Sequence, residues 1–124
     1  MKTYDVSAIT EEYMNERLAK TTDYTLVILH TTEKTFTAEG RPIIWEHGRR
    51  NMALQEDGVL AIVTPATDGS DVAGIGIFNA PTDEVTEIMD ADPAIEAGFL
   101  AYELHPIRGF PGDCLPEPLG QSGA

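Results

Sequence analysis

The stretch that decides the fold is residues 41–64, RPIIWEHGRRNMALQEDGVLAIVT. Its first part predicts a helix from Arg41 to Asp57, because proline is tolerated in the first turn of a helix and a glycine such as Gly58 often ends one. The residues after this glycine are apolar and mostly β-branched, which predicts a strand over 59–64. A long helix followed directly by a strand indicates a mixed α and β domain.

Two polar side chains interrupt the apolar face of this helix. Residues on that face recur at spacings of three, four and three, and they are Ile44, His47, Asn51 and Leu54. Such spacings place side chains on one side of a helix, which should pack on a sheet. Buried polar groups need hydrogen-bond partners. We therefore expect His47 and Asn51 to point into one cavity and to meet polar groups there.

The remaining pattern predicts the order β-α-β-β-α-β after an N-terminal helix. We expect helices over 7–20 and from Thr82, as the N-cap, to Asp92-Pro93, and further strands over 24–30, 72–79 and 99–107. This order is typical of the ferredoxin-like α+β fold. The expected organisation is an N-terminal helical extension (1–23), an α+β domain (24–108) and a Pro/Gly-rich tail (109–124).

A four-stranded sheet with both helices on one face leaves its other face uncovered. In a chain of 124 residues such a face is usually buried by another copy. We therefore predict a homodimer formed through this face. Gly74 and Gly76 leave one side of their strand bare, which allows either a ligand or tight packing of neighbouring groups.

Composition excludes several function classes. The formal charge of −13, from 21 acidic and 8 basic residues, argues against nucleic-acid binding and against anionic membranes. The single cysteine, Cys114, allows no intrachain disulfide and no cysteine-based metal site. No apolar stretch resembles a signal peptide or reaches the length of a membrane span, so we expect a soluble, cytoplasmic protein.

Two motifs resemble the YciI-like (YCII-related) family. The first is Trp45-Glu46-His47 in a helix that ends in Glu56-Asp57-Gly58-Val59-Leu60. The second is ADPAIEAGF at 91–99, before a strand that ends at Pro106. The resemblance covers roughly residues 24–107.

The resemblance implies a dimeric α+β barrel and a His–Asp dyad proposed to be catalytic. Carried over to this sequence, the dyad consists of His47 and Asp92. One characterised branch of the family eliminates chloride from a chlorinated hydroxyhydroquinone, and most members have no assigned reaction. At Asn51 this chain departs from the leucine usual in the family.

Asp90 and Asp92 both lie in the acidic turn that follows the second core helix. Asp90 sits in the last helical turn, where a negative charge opposes the helix dipole. Pro93 stiffens the turn that carries Asp92. We therefore predict that Asp92, and not Asp90, accepts a hydrogen bond from His47.

A histidine paired with a carboxylate is suited to proton transfer. An imidazole titrates near neutral pH, and a carboxylate on one ring nitrogen fixes its tautomer. No serine or cysteine stands in a nucleophile motif, which favours proton abstraction, isomerisation or elimination over covalent catalysis. We predict a small cofactor-free enzyme, a lyase or isomerase for a small cyclic or hydroxylated substrate, with His47 and Asp92 as catalytic residues. The alternatives are a structural His–Asp pair and a non-catalytic dimeric module that binds a small ligand or assists a partner.

The other candidate site residues are aromatic or lie outside any motif. Asn51 and Trp45 are the predicted substrate-pocket residues, although Trp45 and Tyr102 also fit core or interface positions. His30 and His105 have no metal-ligand spacing relative to His47. We therefore predict no metal and no cofactor.

Overall fold

A computed structural model describes residues 3–119 of the chain. The elements are α1 (Glu11–Leu18), β1 (Thr22–Thr31), α2 (Gly40–Asp57), β2 (Leu60–Pro65), β3 (Val72–Phe78), α3 (Thr82–Asp90), α4 (Pro93–Glu96) and β4 (Leu100–Gly109). The α+β class and the predicted β-α-β-β-α-β order are confirmed, with the short helix α4 added before the last strand. None of the helices in the described range is long and apolar enough to cross a membrane.

The four strands form one sheet in the order β2-β3-β1-β4. β3 pairs antiparallel with both β1 and β2, so it lies between the two strands that α2 connects. In the β1–β3 register, Ile28 is opposite Ile75 and Leu26 is opposite Ile77. This insertion of one strand between β1 and β2 is the ferredoxin-like arrangement expected from the element order.

One face of the sheet carries the hydrophobic core. Along β1, Thr25, Val27 and Leu29 are buried while the alternate residues are only partly buried. Val27 and Leu29 belong to a buried cluster that includes Val85 of α3 and Ala94 of α4. Because side chains alternate along a strand, Leu26 and Ile28 lie on the opposite face.

The two glycines of β3 are explained by tight packing. A Cβ atom added at Gly76 would lie 3.3 Å from Leu60 Cδ1 and 3.4 Å from Phe78 Cε2. One added at Gly74 would lie 2.6 Å from the backbone oxygen of Thr64. Side chains and a neighbouring strand therefore fill the space that the missing side chains leave.

The described residues divide into two compact units, one formed by 3–22 with 108–119 and the other by 23–107. In the first, the predicted helix over 7–20 is wrong in length, because α1 covers only Glu11–Leu18. The Thr10 side chain accepts a hydrogen bond from the Tyr13 backbone N–H and so starts the helix later. None of the residues of α1 is buried.

The predicted ends of two other elements also need correction. Thr82 is the first residue of α3 and not its N-cap, since Pro81 occupies that position without a side-chain hydrogen bond. The last strand runs two residues further than predicted, to Gly109. Pro106 does not interrupt it, because β4 is an edge strand and one of its sides needs no backbone donors.

Candidate active site

The predicted dyad is present at the interface of α2 with the α3–α4 connection. His47 Nδ1 lies 2.8 Å from Asp92 Oδ2, and both residues are buried, with 8% and 1% of their surface exposed. His47 is placed by the inward face of α2. The prediction of Asp92 over Asp90 is confirmed.

Asp92 is held in place by a second role as a helix cap. The second core helix ends before Asp92-Pro93 as predicted, since α3 ends at Asp90, and Asp92 has an extended backbone and is the N-cap of the short helix α4. Its Oδ1 accepts a 2.9 Å hydrogen bond from the Ala94 backbone N–H. Pro93 suits the first helical position because it has no N–H to satisfy there. One carboxylate thus caps a helix and orients an imidazole.

The charge of Asp92 is maintained although the group is buried. Burial, the largest single influence, raises the pKa of this carboxyl group, and the hydrogen bond from His47, together with the charge of the ring when it is protonated, acts against it. The Ala94 N–H and the Arg50 guanidinium, 3.5 Å from Oδ2, act in the same direction, so the pKa of Asp92 lies below 3.8. Asp92 is therefore a carboxylate at neutral pH.

Asn51 occupies the other nitrogen of the histidine ring. Its Nδ2 lies 3.2 Å from His47 Nε2, one turn further along α2. An amide N–H that donates to Nε2 requires the lone pair there, so this arrangement corresponds to the neutral tautomer with the proton on Nδ1. The two polar side chains predicted to share one helix face therefore contact each other.

The space beside this group is small. Asn51 lines a cavity of about 10 Å³ under the sheet, together with residues of β1, β2, β3 and α3 such as Val27, Leu60 and Met89. That volume is about what one water molecule needs. Asn51 itself is only partly buried.

Asp90, the rival carboxylate, has a different partner. Its Oδ1 accepts a 2.8 Å hydrogen bond from the Tyr102 hydroxyl on β4. Burial, followed by the hydrogen bond and the charge of Asp90, raises the pKa of Tyr102 to about 12. The sequence offered no signal for this pair, because it depends on how β4 lies against α3.

The Tyr102–Asp90 pair gives a testable titration. In an absorbance titration of tyrosinate, the wild-type chain should show a late component near pH 12 that disappears in Tyr102→Phe. Asp90→Asn should shift this component to lower pH, because the neighbouring negative charge is removed. A Tyr13→Phe control should retain it, and a late component that survives Tyr102→Phe would contradict the assignment.

The structure places Trp45 away from the dyad. This side chain is 74% exposed and lies in an open groove of about 1260 Å³ on the outer side of α2. Neither His47 nor Asn51 lines that groove. The two predicted substrate-pocket residues therefore face different sides of the helix.

The remaining histidines share one carboxylate. His30 Nε2 lies 2.6 Å from Glu103 Oε1, and His105 Nε2 lies 2.8 Å from Oε2 of the same side chain. Hydrogen bonds from His30 and then His105 lower the pKa of Glu103. Within residues 3–119 no group of three His, Cys, Asp or Glu side chains is arranged to hold a metal ion.

Comparison with known proteins identifies related sequences and structures. The chain matches the family model of the YCII-related domain over residues 24–109. A similar solved structure is 5-chloro-2-hydroxyhydroquinone dehydrochlorinase (TftG) from Burkholderia phenoliruptrix AC1100, in complex with 2,5-dihydroxybenzoquinone. It has 20% sequence identity and a TM-score of 0.47, over 66% of this chain and 90% of that one. No curated protein sequence matches.

Proposed function

This chain belongs to the YCII-related family, and from that premise we propose that it is a small cofactor-free enzyme in which His47 and Asp92 transfer a proton. The proposed reaction class is that of a lyase or an isomerase. The proposed substrate is a small cyclic or hydroxylated compound with a proton acidic enough for an imidazole to remove.

The observation that carries this proposal is the buried hydrogen bond between His47 Nδ1 and Asp92 Oδ2. It leaves the Nε2 lone pair as the base. When Nε2 takes a proton from the substrate, the ring becomes an imidazolium, and the adjacent Asp92 carboxylate stabilises that charge. The proton then returns from Nε2 to another substrate atom in an isomerisation, or to a leaving group in an elimination.

Asn51 controls access to the base. Its amide lies on Nε2 and the ring is nearly buried, so a substrate reaches the lone pair only after the Asn51 side chain rotates away. Rotation is feasible because Asn51 is only partly buried. The displaced amide is then available to hydrogen-bond a hydroxyl or carbonyl oxygen of the substrate.

A deuterium-exchange screen tests this proposal. Small enolisable ketones, hydroxylated rings and halogenated hydroquinones are incubated with the protein in D₂O and followed by NMR for exchange, isomerisation or halide release. We expect the wild-type chain to catalyse one of these and His47→Gln not to. Equal behaviour of the two proteins across the panel would reject the catalytic role.

A non-catalytic ligand-binding module is the second candidate. The observation that favours it is the low exposure of the His47 ring, since only 10% of its side chain is accessible. In that case a ligand binds elsewhere and the dyad only joins α2 to α4. This candidate predicts that ligands bind equally well to wild type and to His47→Gln.

We further propose a homodimer formed through the sheet face opposite the helices. Leu26 and Ile28 of β1, with Ile75 and Ile77 of β3, form two cross-strand apolar pairs on that face. They are partly buried within one chain, and none of them belongs to the buried core cluster or to the residues packed against it. A second sheet is an apolar cover of matching shape.

Ile28→Glu tests this interface. A carboxylate buried without a partner costs several kcal/mol, so association through this face should weaken by more than about 100-fold. Light scattering of the wild type, of Ile28→Glu and of an Ala53→Glu control measures the effect. The control adds the same charge at an exposed position of α2 and should associate like wild type, whereas a monomeric wild type would contradict the proposal.

A further inference from the structure

We propose that the outer face of α2 is a second contact between copies of this chain, in which two α2 helices pack antiparallel across a two-fold axis. The proposal does not depend on the catalytic role of the dyad. Together with the sheet-face contact it gives each chain two different two-fold contacts, so particles larger than a dimer form.

The outer face of α2 carries a stripe of residues at helical spacing that combines two large exposed apolar side chains, two arginines and a glycine. The stripe consists of Arg41, Trp45, Gly48, Arg49 and Met52. Trp45 is 74% exposed and Met52 is 68% exposed, and the neighbouring Phe36 is 88% exposed. Large exposed apolar patches mark interaction surfaces, and Trp, Met and Arg are enriched in protein interfaces.

Gly48 gives this stripe a notch that the chain does not fill. A Cβ atom added there would meet nothing within 4 Å. A glycine inside a helix costs about 1 kcal/mol relative to alanine, and no packing within the chain requires it. By contrast, Gly74 and Gly76 are required by atoms close to them. A notch open to the outside lets a second helix or a large side chain approach closely.

The stripe is complementary to itself. Consider an antiparallel pair of α2 helices whose two-fold axis passes midway between Trp45 and Gly48. Two residues then lie opposite each other when their residue numbers add up to the same total as 45 and 48. Trp45 of one copy then lies opposite the notch at Gly48 of the second copy, and Arg41 lies opposite Met52. No arginine faces an arginine, and the same patch serves both copies, as a two-fold contact requires.

Charge also favours this face as a contact between copies. The chain carries a net charge of −13, so most faces of two copies repel each other. The charged residues that line the groove are Arg41, Arg49 and Glu46, which are positive in sum. Arg41 forms no salt bridge with any residue in the described part of the chain. Two copies that meet through their α2 helices therefore do so at a face without the acidic surplus of the whole chain, where Glu46 and the two arginines carry charges of opposite sign.

The single tryptophan makes the proposal directly testable, since all tryptophan emission reports on Trp45. As protein concentration rises, emission should shift from that of a water-exposed indole to shorter wavelength while sedimentation shows particles larger than a dimer. Gly48→Leu fills the notch and should weaken this step by roughly 10- to 100-fold. Its thermal unfolding should be unchanged or later, because an added Cβ atom meets nothing within 4 Å and leucine favours a helix more than glycine does.

Two further variants separate the possible outcomes. Ala53→Leu adds the same side chain at an exposed position of α2 off the stripe and should assemble like wild type. Ile28→Glu should remove only the sheet-face contact and leave pairs joined through α2. If emission stays that of an exposed indole at all concentrations, or Gly48→Leu assembles like wild type, the proposal is wrong and the groove serves a different molecule.

Discussion

His47→Gln is expected to lower the rate of the catalysed proton transfer by about 10²- to 10⁴-fold, the usual contribution of a positioned general base. Glutamine is close to histidine in length, and its amide can still donate to Asp92. The fold should therefore persist while the proton acceptor at Nε2 is lost. The measurement is the initial rate with whichever compound the deuterium-exchange screen identifies, together with circular dichroism of both proteins.

A matched surface variant separates loss of the base from general damage. Glu56→Gln changes an exposed side chain at the end of the same helix and should leave the rate unchanged. Asn51→Leu removes the amide from Nε2 while leaving the dyad intact, so it should alter substrate binding more than the proton-transfer step. A His47→Gln protein with the wild-type rate would show that the dyad is structural.

Asp92→Ala is expected to lower the free energy of unfolding by about 2–4 kcal/mol. Loss of the N-cap side chain of α4 costs about 0.5–2 kcal/mol. The buried Nδ1–H of His47, left without its acceptor, costs about 1–3 kcal/mol more. Asp92→Asn should cost less, because asparagine caps a helix as well as aspartate does. Asp90→Ala should cost no more than about 1 kcal/mol, since it loses one exposed hydrogen bond. Urea unfolding of the three variants measures these differences, and equal losses in Asp90→Ala and Asp92→Ala would contradict the assigned roles.

The pH dependence of the Asp92 contribution has a defined sign. The pKa of Asp92 is lower in the folded chain than the ordinary value of 3.8, so the unfolded chain binds the proton more readily. The stabilisation by the Asp92 carboxylate is complete above pH 3.8. It is lost as the pH falls through the lower pKa that Asp92 has in the folded chain. The stability gap between wild type and Asp92→Asn should therefore be widest near neutral pH and close in stronger acid.

Local features of the sequence were enough to predict the elements that place the dyad. The spacing of apolar residues in α2 identified the inward face with His47 and Asn51, and Gly58 marked the end of the helix. Pro93 pointed to Asp92 as the ordered carboxylate of its turn. These signals are local because helix periodicity and proline geometry act over a few residues.

Contacts between distant elements were not predictable in the same way. The sharing of Glu103 by His30 and His105 depends on where β1 lies in the sheet. The Tyr102–Asp90 bond likewise depends on how β4 meets α3. The position of Trp45 in an open groove, away from the dyad, depends on how α2 is rotated against the sheet.

The sequence by itself determined the order of elements and the inward face of α2, and the resemblance of its motifs to the family implied the pairing of His47 with Asp92. Only the tertiary structure decided that Asp92 also caps α4, that Asn51 occupies His47 Nε2 and that little space remains beside the ring. The reason is physical. Periodicity and turn chemistry are set by neighbours along the chain, whereas the filling of a cavity depends on side chains from several elements that pack at fixed distances.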